Sequence, residues 1–473
     1  MLTADASDTP LLAAWEVAVR ADRAPMVIPG HKGSTRLVGD VVSGDVPLYA
    51  GLDTLHLEHG VLHRAEVLAA RAWGVDWCRF SVGGSTHGNQ ALALAVGRPG
   101  DEVVVTRSLH RSLLLGLVLA GLVPVWVAPD LDAATGLPLG VPAERVADAL
   151  RAHPGARAVF LVEPGYTGAL SDVRGAAAVA HGHGIPLVVD GAWGAHLGWA
   201  PGLPPSPLSL GADAMVTSAH KLLPAYSQAA LVLARTGRLD VDRLERGFEA
   251  SHTTSPAGAI LASTDAARAL LEREGEQLLG RTVRLVQDAR EELRAVPGLV
   301  LPGGAGDRSD PTRLVLALAG TGADGLAVER DLVAMGVPVE MADRDTVVAT
   351  VTVADTAATV GRFVGVVREA LERHRGEPRP PVAGAAWTAA GELVVPPREA
   401  FFADREAVPL AESVGRVAAE LVAPYPPGVP ALVPGERVGA ATVEALRAAA
   451  AAGSRVAYAA DATLGTVQVL TAG

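Results

Sequence analysis

The chain has 473 residues, 49% of them apolar and 19% charged, with a formal net charge of −12. That length exceeds one ordinary domain core, and the composition excludes a disordered or collagen-like chain. The acidic balance, without a basic cluster, argues against nucleic acid as the partner, and one cysteine, Cys78, excludes a disulfide framework or a cysteine metal cluster within the chain.

The first residues, MLTADASDTPLLAAWEVAVRAD, carry acids early and no basic region ahead of an apolar core, so they do not read as a secretory signal. A cytoplasmic setting is the simplest expectation for a chain with one thiol. An N-terminal helical segment is expected over 1–25, then a large domain over 26–285. Inside it a strand leads into Gly83–Gly84–Ser85–Thr86 and a helix. Apolar, β-rich runs follow at EVVVT (102–106), VPVWVA (123–128), RAVFLVE (157–163), PLVVD (186–190), AMVTS (214–218) and AALVLA (229–234). Helix-like stretches such as THGNQALALAV and VPAERVADALRAH fill the earlier gaps. This alternation predicts an α/β domain with a mostly parallel sheet and a ligand at the carboxyl ends of its strands.

The run LLLGLVLAGLVPVWVAP, Leu113 to Pro129, is uncharged and so invites a membrane reading. Gly121 and Pro124 interrupt it, and a buried helix, a turn and a buried strand account for it better; no membrane partner is expected. The stretch from Leu261 to Val296 predicts helix bridging to a small α/β domain over 286–376. There TRLVLALAGTGADGLAVERDLVAMGVPVE reads strand–turn–helix–strand. RGEPRPPVAGA (375–385) reads as a linker, and a last domain over 377–473 closes on a helix–strand pair.

Two side chains carry the chemistry. Asp190 ends PLVVD, and Lys221 follows in TSAHKLLPAY after one more helix and strand. A lysine and an acid at neighbouring strand ends suit pyridoxal 5'-phosphate: the amine takes the aldehyde and the acid keeps the pyridine nitrogen protonated. Separately, Asp190 reads as a helix cap and Lys221 as a solvated loop residue. Gly84, Ser85 and Thr86 at a helix start suit a phosphate, or form an ordinary cap. A rival stands further on. GTGADG, Gly320 to Gly325, matches the dinucleotide fingerprint, with Glu340 twenty residues past Gly320, so an NAD-dependent dehydrogenase is the competing class. Its bland reading is a glycine-rich turn.

Nine motifs then stand in order: IPGHKG (28–33), GLDTLH (51–56), VGGSTHGNQ (82–90), TRSLHRS (106–112), DGAWGAH (190–196), SAHKLLPAYSQ (218–228), HTTSP (252–256), ASTDAAR (262–268) and PYPPGVPALVPGE (424–436). Together the chain resembles the fold-type I, pyridoxal-phosphate-dependent ornithine/lysine/arginine decarboxylases, from about Val27 to the C-terminus, and most of all their short, biosynthetic members. The resemblance implies an aspartate aminotransferase-like large domain with smaller α+β domains behind it. It implies Lys221 as the Schiff-base lysine, Asp190 on the pyridine nitrogen, Ala192 packed on the ring with Trp193 beside it, and His110 stacked on the other face. Ser85, Thr86, Ser218 and His220 would hold the phosphate. Thr254 and Ser255 would reach the phosphate of a neighbouring subunit, which implies a homodimer with shared sites, open to further assembly. Glu436 is the candidate for the substrate's distal cation, with Glu420 and Asp461 behind it.

The chain departs from the family pattern at Gly83–Gly84–Ser85, at Glu163 and Gly165, at Pro47 and Leu48, and at Trp193. The implied reaction is decarboxylation of a basic L-amino acid to a primary amine and CO2, a step in polyamine supply. Arginine is slightly favoured over lysine and ornithine, because the chain begins almost directly at the linker to its core. An aminotransferase, an oxidative decarboxylase or another lyase on the same cofactor is the alternative, and a catalytically silent relative a more distant one.

Overall fold

In the computed structural model of the chain, the described residues are 8–21, 24–48, 51–53, 60–303, 308–382, 384, 387, 390–425, 428–451, 453 and 455–471. Positions 54–56 of GLDTLH, 383 and 385 of the linker and 426–427 of PYPPGVPALVPGE lie outside them.

Seven strands form the central sheet: β1 (Trp77–Ser81), β2 (Glu102–Thr106), β3 (Val123–Val127), β4 (Val159–Val162), β5 (Leu187–Asp190), β6 (Ala214–Ser218) and β7 (Ala230–Ala234), in the order β1-β7-β6-β5-β4-β2-β3. Only β7 runs antiparallel to its neighbours. The six apolar runs read from the sequence are β2 to β7, matched in full or trimmed by one to three residues. They are apolar on both faces because both are covered. Val104, Leu161, Val189 and Met215 belong to the core on one face. Val103, Val105, Phe160, Val188 and Val216 belong to the other.

The helices of this domain are α1 (Pro10–Arg20), α2 (Val61–Ala72), α3 (Gly84–Val96), α4 (Arg111–Ala120), α5 (Ala143–Ala152), α6 (Val173–Gly182), α7 (Ala219–Leu222) and α8 (Val241–Glu249). The uncharged run from Leu113 resolves into α4, a left-handed Gly121 and β3. Among the described residues no helix is long and apolar enough to cross a membrane. Helix α3 lies unusually close to the sheet at Gly88, where an added Cβ would come within 2.3 Å of Val216 Cγ2. That approach sets the start of α3 beside the end of β6.

Helix α9 (Gly258–Leu293) is continuous over 36 residues, about 54 Å at 1.5 Å per residue. Its first half packs into the large-domain core through Leu261, Ala267 and Leu271. Its last turns enter a separate core through Val286, Ala289 and Leu293. Asp265 of α9 also accepts the N–H groups of Leu11 and Leu12 at 3.0 and 3.3 Å, capping α1 from a remote part of the chain.

Beyond α9, β8 (Arg313–Ala317), β9 (Met341–Ala342) and β10 (Thr346–Thr350) form a sheet ordered β8-β10-β9, with α10 (Gly325–Ala334) and α11 (Ala357–Arg373) against it. This overturns the dinucleotide reading of Gly320 to Gly325. Both pairings in the sheet are antiparallel, so among the described residues this sheet has no parallel strand–helix–strand unit to cradle a pyrophosphate. The glycines instead form a short turn: Gly322 is left-handed, and Asp324 caps α10 through the N–H groups of Leu326 and Ala327. The strand expected at the end of that segment starts only at Met341. The final part has its own core, including Leu410, Val422, Leu446 and Val469, and holds the expected helix, Ala440–Ala451, and strand, Thr466–Leu470.

Candidate active site

A cavity of about 550 Å³ opens at the carboxyl ends of the parallel strands. Each strand end delivers a piece of its wall. Gly83, Gly84, Ser85 and Thr86 follow β1, His110 follows β2, Val162 and Tyr166 mark the end of β4, Asp190, Ala192 and Trp193 follow β5, and Ser218, His220 and Lys221 follow β6. Ten of the twelve residues expected to bind the cofactor therefore meet in one place.

Asp190 is buried at the floor. It accepts a hydrogen bond from Asn89 Nδ2 at 2.7 Å and from the Ala192 N–H at 3.1 Å. Lys221 has no hydrogen bond or ion pair among the described residues; its Nζ sits 4.1 Å from the centre of the Trp193 ring. Burial lowers its pKa, Asp190 opposes that shift, Arg313 adds to it and Glu340 opposes it. The amine is thus nearer its neutral, nucleophilic form than a surface lysine is. Arg313 shares the ring, with Cζ 3.9 Å from its centre, and its buried Nε and Nη2 lack hydrogen-bond partners among the described residues.

His110 caps α4. Its Nδ1 accepts the Ser112 N–H at 3.2 Å and lies 2.8 Å from Ser112 Oγ. Burial pushes its pKa down to about 4, with Asp190 working against the shift and Lys221 and Arg111 with it, so the ring is neutral at pH 7.

At the opposite end Ser218 Oγ donates to Ser85 Oγ at 2.9 Å, beside the first turn of α3. Gly84 has φ 67°, a conformation that suits glycine, and its N–H donates to the Gln228 carbonyl at 2.9 Å. Hydroxyls and helix-start amides together make an anion cradle. His220 Nδ1 lies 3.0 Å from the Ala229 carbonyl, which fixes the ring orientation.

The remaining expectations fall elsewhere. Thr254 and Ser255 are exposed and do not line this cavity. Glu436 is fully buried, but its Oε2 pairs with Arg107 at 3.3 Å and accepts the Val433 N–H at 3.1 Å, away from the cavity. Glu420 accepts the N–H groups of Ala460 and Gln468 at 2.7 and 2.6 Å. Asp461 accepts those of Thr463 and Thr466, both at 2.9 Å. Glu420 and Asp461 brace the C-terminal domain internally, and Glu436 ties it to Arg107 of the large domain.

Asn89, Ser112, Tyr166, Arg313 and Glu340 were given no part in this site from the sequence. Asn89 lies four residues after Ser85, hence on the same face of α3, and that spacing was the available signal. Arg313 had none. A second cavity, of about 210 Å³, shares Val162 and Tyr166 with the first and is bounded beyond them by Asp343, Arg344, Thr346 and Trp387. Burial raises Asp343 to about 6.

The family model for the Orn/Lys/Arg decarboxylase major domain matches residues 9–301, and that for the Orn/Lys/Arg decarboxylase C-terminal domain matches 384–457. An arginine decarboxylase of Halalkalibacterium halodurans is 32% identical over 479 residues, covering 98% of this chain and 97% of the relative. One of Bacillus subtilis is 31% identical over 469 residues, covering 94% of each. Among solved structures, the Francisella novicida lysine decarboxylase LdcF superposes with a TM-score of 0.83 at 18% identity, over 98% of this chain and 81% of that one. The constitutive lysine decarboxylase of Escherichia coli gives 0.79 at 21%, over 98% and 82%. At those identities the structures speak for the fold.

Proposed function

The chain belongs to the Orn/Lys/Arg decarboxylase family, and from that premise we propose that it decarboxylates arginine, ahead of lysine or ornithine, on a pyridoxal phosphate held in the cavity around Lys221. The observation that carries the reading is the convergence of Lys221, Asp190, His110 and the Ser85–Ser218 hydroxyl pair on that single cavity. Arginine is favoured because the two arginine decarboxylases match over nearly their whole lengths.

The family, like the fold-type I enzymes, depends in general on pyridoxal phosphate, and the residues present fit that group. Asp190 is a buried acceptor for a protonated ring nitrogen, the hydroxyl pair and the start of α3 suit its phosphate, and Lys221 is an uncommitted amine between them. Bound there, the cofactor supplies an electron sink for the pair left when the bond from Cα to the carboxylate breaks. Asp190 would hold the proton on the ring nitrogen. Its burial strengthens that ion pair. His110 and Ala192 both line the space, and we assign them to its two faces. Lys221 Nζ would be the amine offered to the cofactor's aldehyde.

The substrate's distal cation needs an acid, and Glu436 is neutralised by Arg107. Asp343, on the wall of the cavity beyond Tyr166, is the acid we assign to that cation. Thr254 and Ser255 we read as contacts offered to the cavity of a second copy; a monomer in sedimentation with full activity overturns that part.

The deciding experiment adds arginine, lysine and ornithine separately to protein saturated with pyridoxal phosphate, measuring CO2, amine and keto acid. Agmatine and CO2 from arginine are expected, with visible absorbance and turnover both lost in Lys221→Ala. Keto acid as the main product moves the reaction to an aminotransferase, and turnover by Lys221→Ala sinks the site assignment.

A further inference from the structure

We propose that Asn89 and Ser112 form a buried relay between Asp190 and His110 that fixes the His110 ring proton on Nε2 and makes Asn89 a positioning residue for both ends of the site. Asn89 Nδ2 donates to Asp190 Oδ2 at 2.7 Å and to Ser112 Oγ at 2.9 Å, and one NH2 group has a proton for each. Ser112 Oγ lies 2.8 Å from His110 Nδ1, and the Ser112 N–H reaches the same nitrogen at 3.2 Å. Asn89, Ser112 and Asp190 are 2–3% exposed.

The direction of every proton follows from the two ends. A carboxylate can only accept, so the amide of Asn89 must turn its NH2 group toward Asp190. A backbone N–H can only donate, so Nδ1 of His110 must present its lone pair. The Ser112 hydroxyl, with its oxygen filled from Asn89, sends its proton to Nδ1. The neutral ring then carries its one proton on Nε2. The charged groups facing this ring are Asp190, Lys221 and Arg111, with the Tyr166 ring centre 6.5 Å away. The low pKa of the buried ring keeps this single-proton form at neutral pH.

A consequence rests on the decarboxylation reading, although the relay does not. A ring whose lone pair is engaged cannot take up a proton, and loss of Nε2–H would leave an imidazolate. After the Cα–carboxylate bond breaks and CO2 leaves, the proton for the new Cα–H bond would therefore come from Lys221 Nζ in its ammonium form, whose N–H bond breaks to leave the neutral amine.

The test uses the apoprotein. Nitrogen and carbon NMR of ring-labelled histidine, assigned with His110→Gln, should show His110 as the Nε2–H tautomer at pH 7. An Nδ1–H tautomer or an imidazolium overturns the relay whatever the variants do. Asn89→Ala, with its fold checked by thermal melt, should mix the tautomers and weaken pyridoxal phosphate binding roughly ten- to a hundredfold, as expected for a lost donor to a buried charge. Unchanged ring shifts and affinity in folded Asn89→Ala remove Asn89 from the role. Wild-type protein that shows the Nε2–H tautomer yet binds no pyridoxal phosphate supports the relay and sinks the cofactor reading.

Discussion

Replacing Glu436 by glutamine separates two accounts of the PGE motif. If Glu436 bound the substrate's distal cation, Glu436→Gln would raise KM for arginine and leave stability nearly alone. The structure predicts the reverse. Side-chain exposure is 1% for Arg107 and 0% for Glu436, and Nη2 meets Oε2 at 3.3 Å. At that separation the attraction is about 5 kcal/mol for an effective dielectric of ~20. Burial raises the pKa of Glu436 against that attraction and lowers that of Arg107, so the pair stands on mutual compensation. Glutamine keeps an acceptor oxygen but removes the negative charge, so the buried guanidinium is left uncompensated, with the Ala431 carbonyl at 3.4 Å and the Trp126 ring centre 5.1 Å away as its other neighbours among the described residues. Such losses cost about 3–5 kcal/mol. The consequence for activity is indirect. Arg107 begins the loop that leads to His110, and Trp387 donates to Ser108 Oγ of the same loop at 2.9 Å. The C-terminal domain thus clamps the segment that carries the His110 imidazole. Denaturant midpoints and arginine kinetics of Glu436→Gln, Arg107→Met and the double variant form the assay. A clear drop in midpoint for Glu436→Gln, partly recovered in the double variant, is expected. An unchanged midpoint with a tenfold higher KM would refute the clamp and return Glu436 to the substrate.

Three further outcomes follow from the electrostatics. Burial raises Glu163 from 4.5 to about 8; with the folded value above the unfolded one, its contribution to stability is whole below pH 4.5 and is lost as the pH rises through 8. Glu163→Gln should therefore flatten the fall of melting temperature between about pH 5 and 9, and a slope equal to wild type would show that the carboxyl ionises freely. Arg313 lowers the pKa of Lys221, so Arg313→Gln should move the pH dependence of pyridoxal phosphate uptake by the apoprotein to higher pH; a shift the other way refutes the coupling. Asp343→Asn should raise KM for arginine about tenfold or more, the worth of a hydrogen bond between charged groups, with kcat less affected; an unchanged KM removes Asp343 from the distal subsite.

The strands were legible because burial on both faces demands continuous apolar runs, and PLVVD and AMVTS pair as β5 and β6 in that register. Asp190 and Lys221 were legible for the same reason: each stands at the end of a run that must be a strand, and neighbouring parallel strands bring their ends together. Strand direction left no such mark. TRLVLALAGTGADG has the composition of a dinucleotide turn, yet only the pairing of Thr346–Thr350 with Arg313–Ala317 shows the sheet to be antiparallel. Side-chain partners were the least legible. Asn89 lies 101 residues from Asp190, and Arg107 lies 329 residues from Glu436. No periodicity links positions so far apart. A motif could therefore flag Glu436 as important while leaving open whether it touches substrate or an arginine. The cavity favours the arginine, because an acid that already neutralises a buried guanidinium has no charge left with which to select another.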